Sequence, residues 1–215
     1  MVRGVFDEKQ LVFPGYYKGT AMIGKDLQYW RENPRQAIAT KYQNNNMAYS
    51  VSGSHAASFI VKMSEEYFGN TLKEIEQMSI LDVGGGTGRI ARHLSFFFKS
   101  VYMYDPVDTC VALARVECQP MVFPNVTYST YLPSQKEKFD VMCSVNVLEH
   151  LSEDDQRILL SQMKNHTKSS ETPVILWAHS RDNYTALVEY CGESSMEKYK
   201  NTPPHLFVNT FTFLQ

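Results

Sequence analysis

One stretch, residues 78–94 with the sequence MSILDVGGGTGRIARHL, constrains the fold more than any other part of the chain. Bulky apolar residues around Leu81 stop abruptly at three consecutive glycines, which is typical of a buried strand. Apolar residues then recur at helical spacing from Ile90 to Phe97. The change of period predicts a strand, a glycine turn at residues 84–88 and a helix. Such a turn lies at the carboxyl end of a strand, where open α/β sheets bind ligands.

The residues beside the glycines decide between classes of ligand. A phosphate-binding loop would carry Lys followed by Ser or Thr after the last glycine, and this chain has Arg89 there, so a nucleoside triphosphatase is rejected. Gly86, Gly88 and Ala91 fit the G-x-G-x-x-A pattern of nicotinamide-binding proteins. An acid, Asp105, also lies at about the right distance downstream. A nicotinamide-dependent oxidoreductase therefore stays open as an alternative.

A second frame fits the same turn better. An acid and three glycines form the pattern D-x-G-x-G-x-G: Asp82, Gly84, Gly86 and Gly88. This pattern resembles motif I of the class I S-adenosylmethionine methyltransferases. Residues 138–151, KFDVMCSVNVLEHL, also resemble the segment around the end of the fourth strand in many members of that family. The resemblance extends over about residues 53–180 and implies methyl transfer from S-adenosylmethionine.

The second predicted strand, Ser100–Tyr104, ends in Asp105 and Pro106. In a parallel sheet the Asp105 carboxylate would lie beside the glycine turn, where it can accept hydrogen bonds from both hydroxyls of a ribose. The resemblance gives it that role on the adenosine of the cofactor. Arg89 follows the last glycine, and we expect its guanidinium near the carboxylate of the cofactor.

The third predicted strand, residues 125–128, leads into the loop that would hold the adenine. Many members of the family carry an adenine-binding Asp there, and Tyr128 stands at the matching position. Backbone groups of Ser129 and Thr130 are expected to read the ring edge instead. The resemblance thus implies a cofactor site made of strand-end and turn residues: Asp82, Gly84, Gly86, Gly88, Arg89, Asp105, Pro106, Ser129, Thr130 and Val145.

Two further predicted strands place residues on the acceptor side of the site. The fourth, residues 138–144, is followed by Val145 and Asn146. We expect Asn146 to face the methionine half of the cofactor or the acceptor. The fifth strand, residues 173–178, ends beside His179, which is a candidate for contact with the acceptor. No catalytic residue and no metal site is assigned.

These elements predict an α/β fold of three layers. A mostly parallel, Rossmann-like sheet would carry helices on both faces, and strands one and four would flank the switch point of the sheet. Ser54 and Ser152 are expected to cap the starts of two helices, and residues 107–118 form the crossover helix after the second strand. Residues 205–214 alternate like a final strand, which would run antiparallel.

The chain is long enough for a single compact domain with a full core. Residues 51–215 are expected to form the S-adenosylmethionine-binding domain, and residues 1–50, with their N-terminal helices, a lid over the acceptor site. The lid segment is rich in aromatic side chains that can exclude water and shape a pocket: Tyr16, Tyr17, Tyr29, Trp30 and Tyr42.

The composition of the chain restricts which kinds of acceptor and which cellular location are expected. The formal net charge of −2 does not favour a nucleic-acid acceptor, although a local basic patch stays possible. No apolar run is long enough to span a membrane, so no membrane association and a cytoplasmic location are expected. The cysteines lack C-x-x-C spacing and are interpreted as reduced, mostly buried thiols: Cys110, Cys118, Cys143 and Cys191.

The methyl acceptor is left open by the sequence. Tyr29-Trp30 and the E-H-L after the fourth strand resemble, in part, the protein N-terminal methyltransferases. Ala178-His179 departs from that family's Asp-Asn pair, and Asn146 from its Trp. A small molecule or a protein amine is favoured over RNA as acceptor. A catalytically silent methyltransferase-like fold, acting as a binding or activator subunit, is the alternative from another class.

Overall fold

The computed structural model describes residues 27–34, 46–69, 71–178, 190 and 207–212. In these ranges the strands are β1 (Ser79–Val83), β2 (Ser100–Tyr104), β3 (Val126–Ser129), β4 (Val141–Val145), β5 (Val174–Ala178) and β6 (Phe207–Phe211). The helices with bounds inside these ranges are α1 (Leu27–Glu32), α2 (Asn46–Phe68), α3 (Leu72–Ile75), α4 (Ala91–Leu94), α5 (Asp108–Glu117) and α6 (Glu153–Lys164), and a 3-10 turn covers Leu148–His150.

The strands form one sheet in the order β3-β2-β1-β4-β5-β6. Strands β1 to β5 are parallel to their neighbours, and β6 runs antiparallel to β5, with Ala178 opposite Phe207. The chain moves outward from β1 in one direction to β3 and then crosses to β4 on the other side. The switch point therefore lies between β1 and β4, as predicted, and a cleft opens at their carboxyl ends.

Alternating side chains of the strands divide the core between two faces of the sheet. On one face, Ile80, Met103 and Cys143 belong to a cluster that includes α2, α4 and α5. On the other face, Leu81 and Met142 belong to a cluster that includes α6. Because β1, β2, β4 and β5 contribute side chains to both clusters, apolar burial fixes the register of these strands. The predicted three-layer, Rossmann-like architecture is confirmed.

Helix α2 starts earlier than the sequence indicated. Ser54, predicted as its N-cap, lies well inside the helix, which begins at Asn46, so that prediction is wrong. The preceding Gly53 is also inside the helix, where a Cβ would lie 2.3 Å from the carbonyl oxygen of Arg89. The glycine thus serves close packing rather than a turn. By contrast, Ser152 caps α6 as predicted, because its Oγ accepts a hydrogen bond from Asp155 N–H at 3.2 Å.

Other predicted features fall partly inside the described ranges. Cys110, Cys118 and Cys143 are buried free thiols, as predicted, whereas Cys191 lies outside the described residues. Of the predicted final strand, β6 covers the central part. Among the described residues, no helix is both long and apolar enough to cross a membrane.

Candidate functional site

The glycine turn joins β1 to the short helix α4 and is held by the end of β2. The N–H groups of Gly84 and Gly85 both donate to the carbonyl oxygen of Tyr104, at 2.7 and 3.1 Å. A Cβ at Gly85 would lie 2.2 Å from Cγ of Met103, so this position must be glycine for the turn to reach the neighbouring strand. At Gly86 the backbone has a φ of +57°, which favours glycine. An added Cβ there would meet no described atom within 4 Å, so the turn is open on that side.

Asp105 connects the end of β2 to this turn. Its Oδ2 accepts a hydrogen bond from Gly86 N–H at 2.8 Å, and its Oδ1 accepts one from Val107 N–H at 2.9 Å. Burial raises the pKa of this carboxyl, and the two backbone hydrogen bonds oppose that shift. Each oxygen keeps acceptor capacity beyond the one bond it makes. Asp105 is therefore a structural link as well as a candidate for ribose binding.

A cleft opens above the carboxyl ends of β1 and β4, with an empty volume of about 470 Å³ that includes space open to solvent. Its wall combines the glycine turn, the end of β4 and one residue that precedes the domain core in sequence. The lining residues are Pro34, Asp82, Gly84, Gly85, Gly86, Thr87, Arg89, Ile90, Val145 and Asn146. The cleft lies at the switch point of the sheet, where open α/β sheets bind ligands.

The predicted site residues divide into two groups around this cleft. Its wall contains six of them: Asp82, Gly84, Gly86, Arg89, Val145 and Asn146. Gly88, Asp105, Pro106, Ser129 and Thr130 do not belong to the wall. Gly88 faces the core, since a Cβ there would lie 2.8 Å from Sγ of Cys118. His179 lies outside the described residues.

Asp82 is the most deeply buried acid of the site, at 1% exposure. The thiol of Cys143 donates to its Oδ1 at 3.6 Å, whereas Oδ2 has no hydrogen-bond partner among the described residues. Burial raises the pKa of Asp82 to about 7, although the Cys143 bond and the charge of Arg89 oppose the shift. An unpaired carboxylate oxygen at the cleft wall can accept a hydrogen bond from a ligand.

Arg89 is also buried, and its Nη1 donates to Oγ of Ser52 in helix α2 at 3.2 Å. A guanidinium in this position places positive charge beside the cleft, where an anionic ligand group would be favoured. Its burial and its bond to α2 imply that Arg89 also contributes to the stability of the free protein. We therefore expect Arg89→Ala to lower the melting temperature of the free protein.

Tyr128, which stands in the chain where many family members have an adenine-binding Asp, has its side chain in the core rather than in the cleft. Its side chain is 5% exposed and belongs to the core beneath the turn, where a Cβ at Gly88 would lie 3.4 Å from its Cε1. The carbonyl oxygen of Ser129 accepts a hydrogen bond from Asp105 N–H at 3.1 Å, so one of the backbone groups expected to read adenine is engaged within the protein. The Tyr128 side chain therefore does not line the cleft.

At the end of β4, Asn146 has a φ of +58°, which is uncommon for a residue other than glycine. Its N–H donates to the carbonyl oxygen of Trp177 in β5 at 2.6 Å, which fixes this backbone. The side-chain Oδ1 is buried and has no hydrogen-bond partner in the described part of the chain. The chain thus keeps an unused acceptor atom on a residue of the cleft wall.

Helix α1 lies against residues from both sides of the cleft. On one side Arg31 pairs with Asp108 at the start of α5, with 3.2 Å between Nε and Oδ1. On the other side the Trp30 ring meets the His150 ring edge-on, with 5.0 Å between centroids. Pro34, just beyond α1, lines the cleft itself. Part of the predicted lid segment is therefore in contact with the site.

Sequence reasoning missed Tyr49 and Thr87, whose hydroxyls are hydrogen-bonded to each other. It also missed Pro34 and Ile90 in the wall. A signal for Tyr49 existed, because Tyr49 and Ser52 are spaced to share one face of a helix. The signal could be read only if the helix was known to start before Ser54.

A family model described as a methyltransferase domain matches residues 54–187, more than half of the chain. The chain belongs to this methyltransferase domain family. The match confirms the resemblance to class I methyltransferases that the glycine turn suggested.

A curated relative of this methyltransferase domain is ubiquinone biosynthesis O-methyltransferase from Paramagnetospirillum magneticum. It is 34% identical over 83 residues, which cover 37% of this chain and 33% of that protein. The chain thus spans about a third of the length of that curated relative.

Solved methyltransferase structures share the fold. N-methyltransferase NodS from Bradyrhizobium japonicum WM9, in complex with S-adenosyl-L-homocysteine, superposes with a TM-score of 0.58 at 11% identity, covering 88% of this chain and 98% of that chain. Magnesium protoporphyrin IX methyltransferase from Synechocystis PCC 6803, with bound S-adenosylmethionine, gives a TM-score of 0.52 at 16% identity, covering 73% and 76%.

We expect Asp82→Asn to flatten the pH dependence of stability of the free methyltransferase domain. The pKa of Asp82 rises from an ordinary 3.8 to about 7 on folding. Its protonated form therefore favours the folded state. This contribution is complete below about pH 4 and is lost as the pH rises through about 7. The wild-type free energy of unfolding should fall across that window, on a scale of about 1.4 kcal/mol per unit of pKa shift.

Urea unfolding of wild type and Asp82→Asn at a series of pH values measures this difference. The free energies of unfolding of the two proteins should differ little at acid pH. They should diverge toward neutral pH, where the Asn variant should be more stable. A difference that stays constant from about pH 4 to pH 8 would show that Asp82 does not change its protonation on folding.

Proposed function

We propose that the chain is an S-adenosylmethionine-dependent methyltransferase whose cofactor lies in the cleft between the ends of β1 and β4. The observation that carries this proposal is a matched methyltransferase domain whose glycine turn, open at Gly86, forms the wall of a cleft at the switch point of the sheet. NodS and the magnesium protoporphyrin methyltransferase, which share the fold, were solved with S-adenosylhomocysteine and S-adenosylmethionine respectively.

The residues of the cleft fit this cofactor in shape and in polarity. The turn at Gly86 carries no side chain into the open space, so a ligand can touch the backbone. Arg89 supplies a cation for the cofactor carboxylate. Asp82 Oδ2 and Asn146 Oδ1 are buried acceptors without partners among the described residues, and they suit the ammonium group of the methionine half.

S-adenosylmethionine supplies an activated methyl group on its sulfonium when it is bound. The protein must then hold the nucleophile of the acceptor in line with the carbon–sulfur bond and keep water out of the site. The fixed backbone of Asn146 and the packed ends of β1 and β4 provide rigid positions for this alignment. In place of the ammonium group of the methionine half, Asn146 Oδ1 can accept a hydrogen bond from an N–H or O–H of the acceptor.

The acceptor in this proposal is a small molecule or a protein amine. The proteins compared with this chain carry O-methyltransferase and N-methyltransferase names, so they do not favour one nucleophile. The net charge of −2 makes RNA a less favoured acceptor than a small molecule or a protein amine. A cytoplasmic location is part of the proposal and rests on the sequence alone.

The comparisons name methyltransferases and do not favour a catalytically silent protein. Tyr128 lies in the core and does not fill the cleft, although its position still lacks the adenine-binding Asp of many family members. The nicotinamide alternative gains no support either. The family model and the solved structures compared with this chain are methyltransferases.

We expect the purified protein to bind S-adenosylmethionine and S-adenosylhomocysteine, and Asp105→Ala to weaken that binding. Loss of hydrogen bonds to a charged group typically costs about 1.5 to 3 kcal/mol, which corresponds to an increase in Kd of about 10-fold to 150-fold. The same variant should also lower the melting temperature, because the N–H groups of Gly86 and Val107 lose their acceptor.

Isothermal titration with S-adenosylhomocysteine, and in parallel with NAD, measures both parts of this prediction. Binding of NAD without binding of S-adenosylhomocysteine would move the protein to the oxidoreductases. Unchanged affinity of Asp105→Ala, together with a lower melting temperature, would mean that Asp105 holds the turn but not the ribose.

We further propose that residues 1–50 form the lid on the acceptor side. Support comes from α1, which contacts α5 through Arg31 and the 3-10 turn through Trp30. Trp30→Ala should therefore slow methyl transfer while leaving the Kd for S-adenosylhomocysteine within about twofold, because the ring meets His150 rather than the glycine turn.

The matched control is Arg31→Ala on the same helix. Its ion pair is largely exposed, and such pairs contribute about 0 to 1 kcal/mol. Once an acceptor has been found by transfer of a labelled methyl group, initial rates are compared for both variants. Full activity of Trp30→Ala would show that α1 does not build the acceptor side.

A further inference from the structure

The first turns of α2 pack directly against the glycine turn. Ser52 Oγ accepts a hydrogen bond from Arg89 Nη1 at 3.2 Å, and Gly53 allows the helix to approach the Arg89 carbonyl. About one helical turn earlier, the Tyr49 hydroxyl is hydrogen-bonded to Oγ1 of Thr87. These residues of α2 share one face because they are three or four positions apart. The first turns of α2, which precede the glycine motif by some thirty residues, therefore contact the turn through side chains.

Thr87 connects this helix to the cleft. It follows Gly86 in the turn, and it supplies the hydroxyl among the described lining residues of the cleft. Its side chain is buried together with that of Arg89. Its carbonyl oxygen accepts a weak hydrogen bond from the Cys118 thiol at 3.8 Å, which leaves the hydroxyl as its polar group for other partners.

The burial of Tyr49 and the charges near it favour one direction for the hydrogen bond between the Tyr49 and Thr87 hydroxyls. Burial raises the pKa of the Tyr49 phenol, with the Thr87 hydrogen bond and the charge of Arg89 opposing the shift, so the phenol stays protonated at neutral pH. The Arg92 guanidinium lies 5.4 Å from the centroid of the Tyr49 ring. Positive charge near the ring makes the phenol a stronger donor and a weaker acceptor. The favoured arrangement has Tyr49 O–H donating to Thr87 Oγ1.

A threonine hydroxyl that accepts one hydrogen bond keeps its own hydrogen for a second partner. When Tyr49 donates to Thr87, the Thr87 O–H is thus left to donate elsewhere. The guanidinium of Arg89 adds positive charge to the same part of the cleft wall. A hydroxyl donor beside a buried cation is suited to an anionic group of the ligand.

We propose that Tyr49 is a positioning residue for the cofactor: its hydroxyl orients the Thr87 hydroxyl, which donates to the carboxylate of the methionine half beside Arg89. The inference rests on the proposed function and adds to it a helix outside the glycine motif. Tyr49 acts through Thr87 and does not itself touch the ligand. The competing explanation is that Tyr49 only packs α2 against the turn.

Titration calorimetry with S-adenosylhomocysteine on five forms of the full chain separates these explanations: wild type, Tyr49→Phe, Thr87→Ser, Thr87→Val and the double variant Tyr49→Phe/Thr87→Val. Phe keeps the ring and Val keeps the shape of Thr, so each change removes mainly a hydroxyl. Tyr49→Phe and Thr87→Val should each raise Kd about 3-fold to 10-fold. Thr87→Ser should stay within about twofold of wild type, because it restores the hydroxyl.

The double variant gives the decisive comparison. If Tyr49 acts through Thr87, adding Tyr49→Phe to Thr87→Val weakens binding no further. If Tyr49 only packs α2 against the turn, the fold-increases in Kd of the two single variants should multiply in the double variant. The matched control is Tyr67→Phe, which removes a tyrosine hydroxyl from the far end of α2 and should leave Kd unchanged.

Each outcome decides the inference. The proposal is overturned if the increases in Kd of the two single variants multiply in the double variant, or if Thr87→Val leaves Kd unchanged. It is also overturned if Thr87→Ser binds S-adenosylhomocysteine weakly. If Tyr49→Phe fails to fold, the Thr87→Ser and Thr87→Val pair still decides whether the Thr87 hydroxyl binds the ligand, and equal Kd values for that pair reject the proposal. Absence of S-adenosylhomocysteine binding by the wild type is a different result, because it rejects the proposed function itself.

Discussion

The hydrogen bonds that Asp105 accepts from the backbone are the interaction on which the rest of the site depends. One carboxylate joins the N–H of Gly86 in the turn to the N–H of Val107 before α5. Together with the two bonds from the turn to the Tyr104 carbonyl, they fix the glycine turn to the end of β2. The cleft keeps its shape because this turn cannot move independently of the sheet. The buried acid thus shapes the ligand site before any ligand is present.

The sequence was sufficient for the elements whose signals are local. The strand before the glycines, the crossover to β2 and the cap at Ser152 depend on residues close together in the chain, and the structure has them. The position of β1 beside β4 at the switch point was also predicted, because a parallel sheet with a glycine turn after its first strand restricts the topology strongly. These features carry most of the fold and the position of the cleft.

Features that depend on contacts between distant segments were not readable. Ser54 was predicted to cap α2, yet the helix begins at Asn46, and Gly53 inside it lies against Arg89 of another segment. Tyr128 matched an adenine-binding position by order in the chain, but alternation along β3 turns its side chain into the core. Tyr49 contacts Thr87, which is 38 positions away in the chain. In each case local propensity gives no information about which partner the fold supplies.

The central claim is that a ligand of the S-adenosylmethionine class occupies the cleft formed by the glycine turn and the end of β4. Amide hydrogen exchange with and without S-adenosylhomocysteine tests it most directly, because it reports where binding protects the backbone. We predict slower exchange confined to residues 84–89, 105–107 and 145–146, with no change in α6 on the periphery of the sheet. Binding that leaves these amides unchanged and protects other segments would contradict the claim.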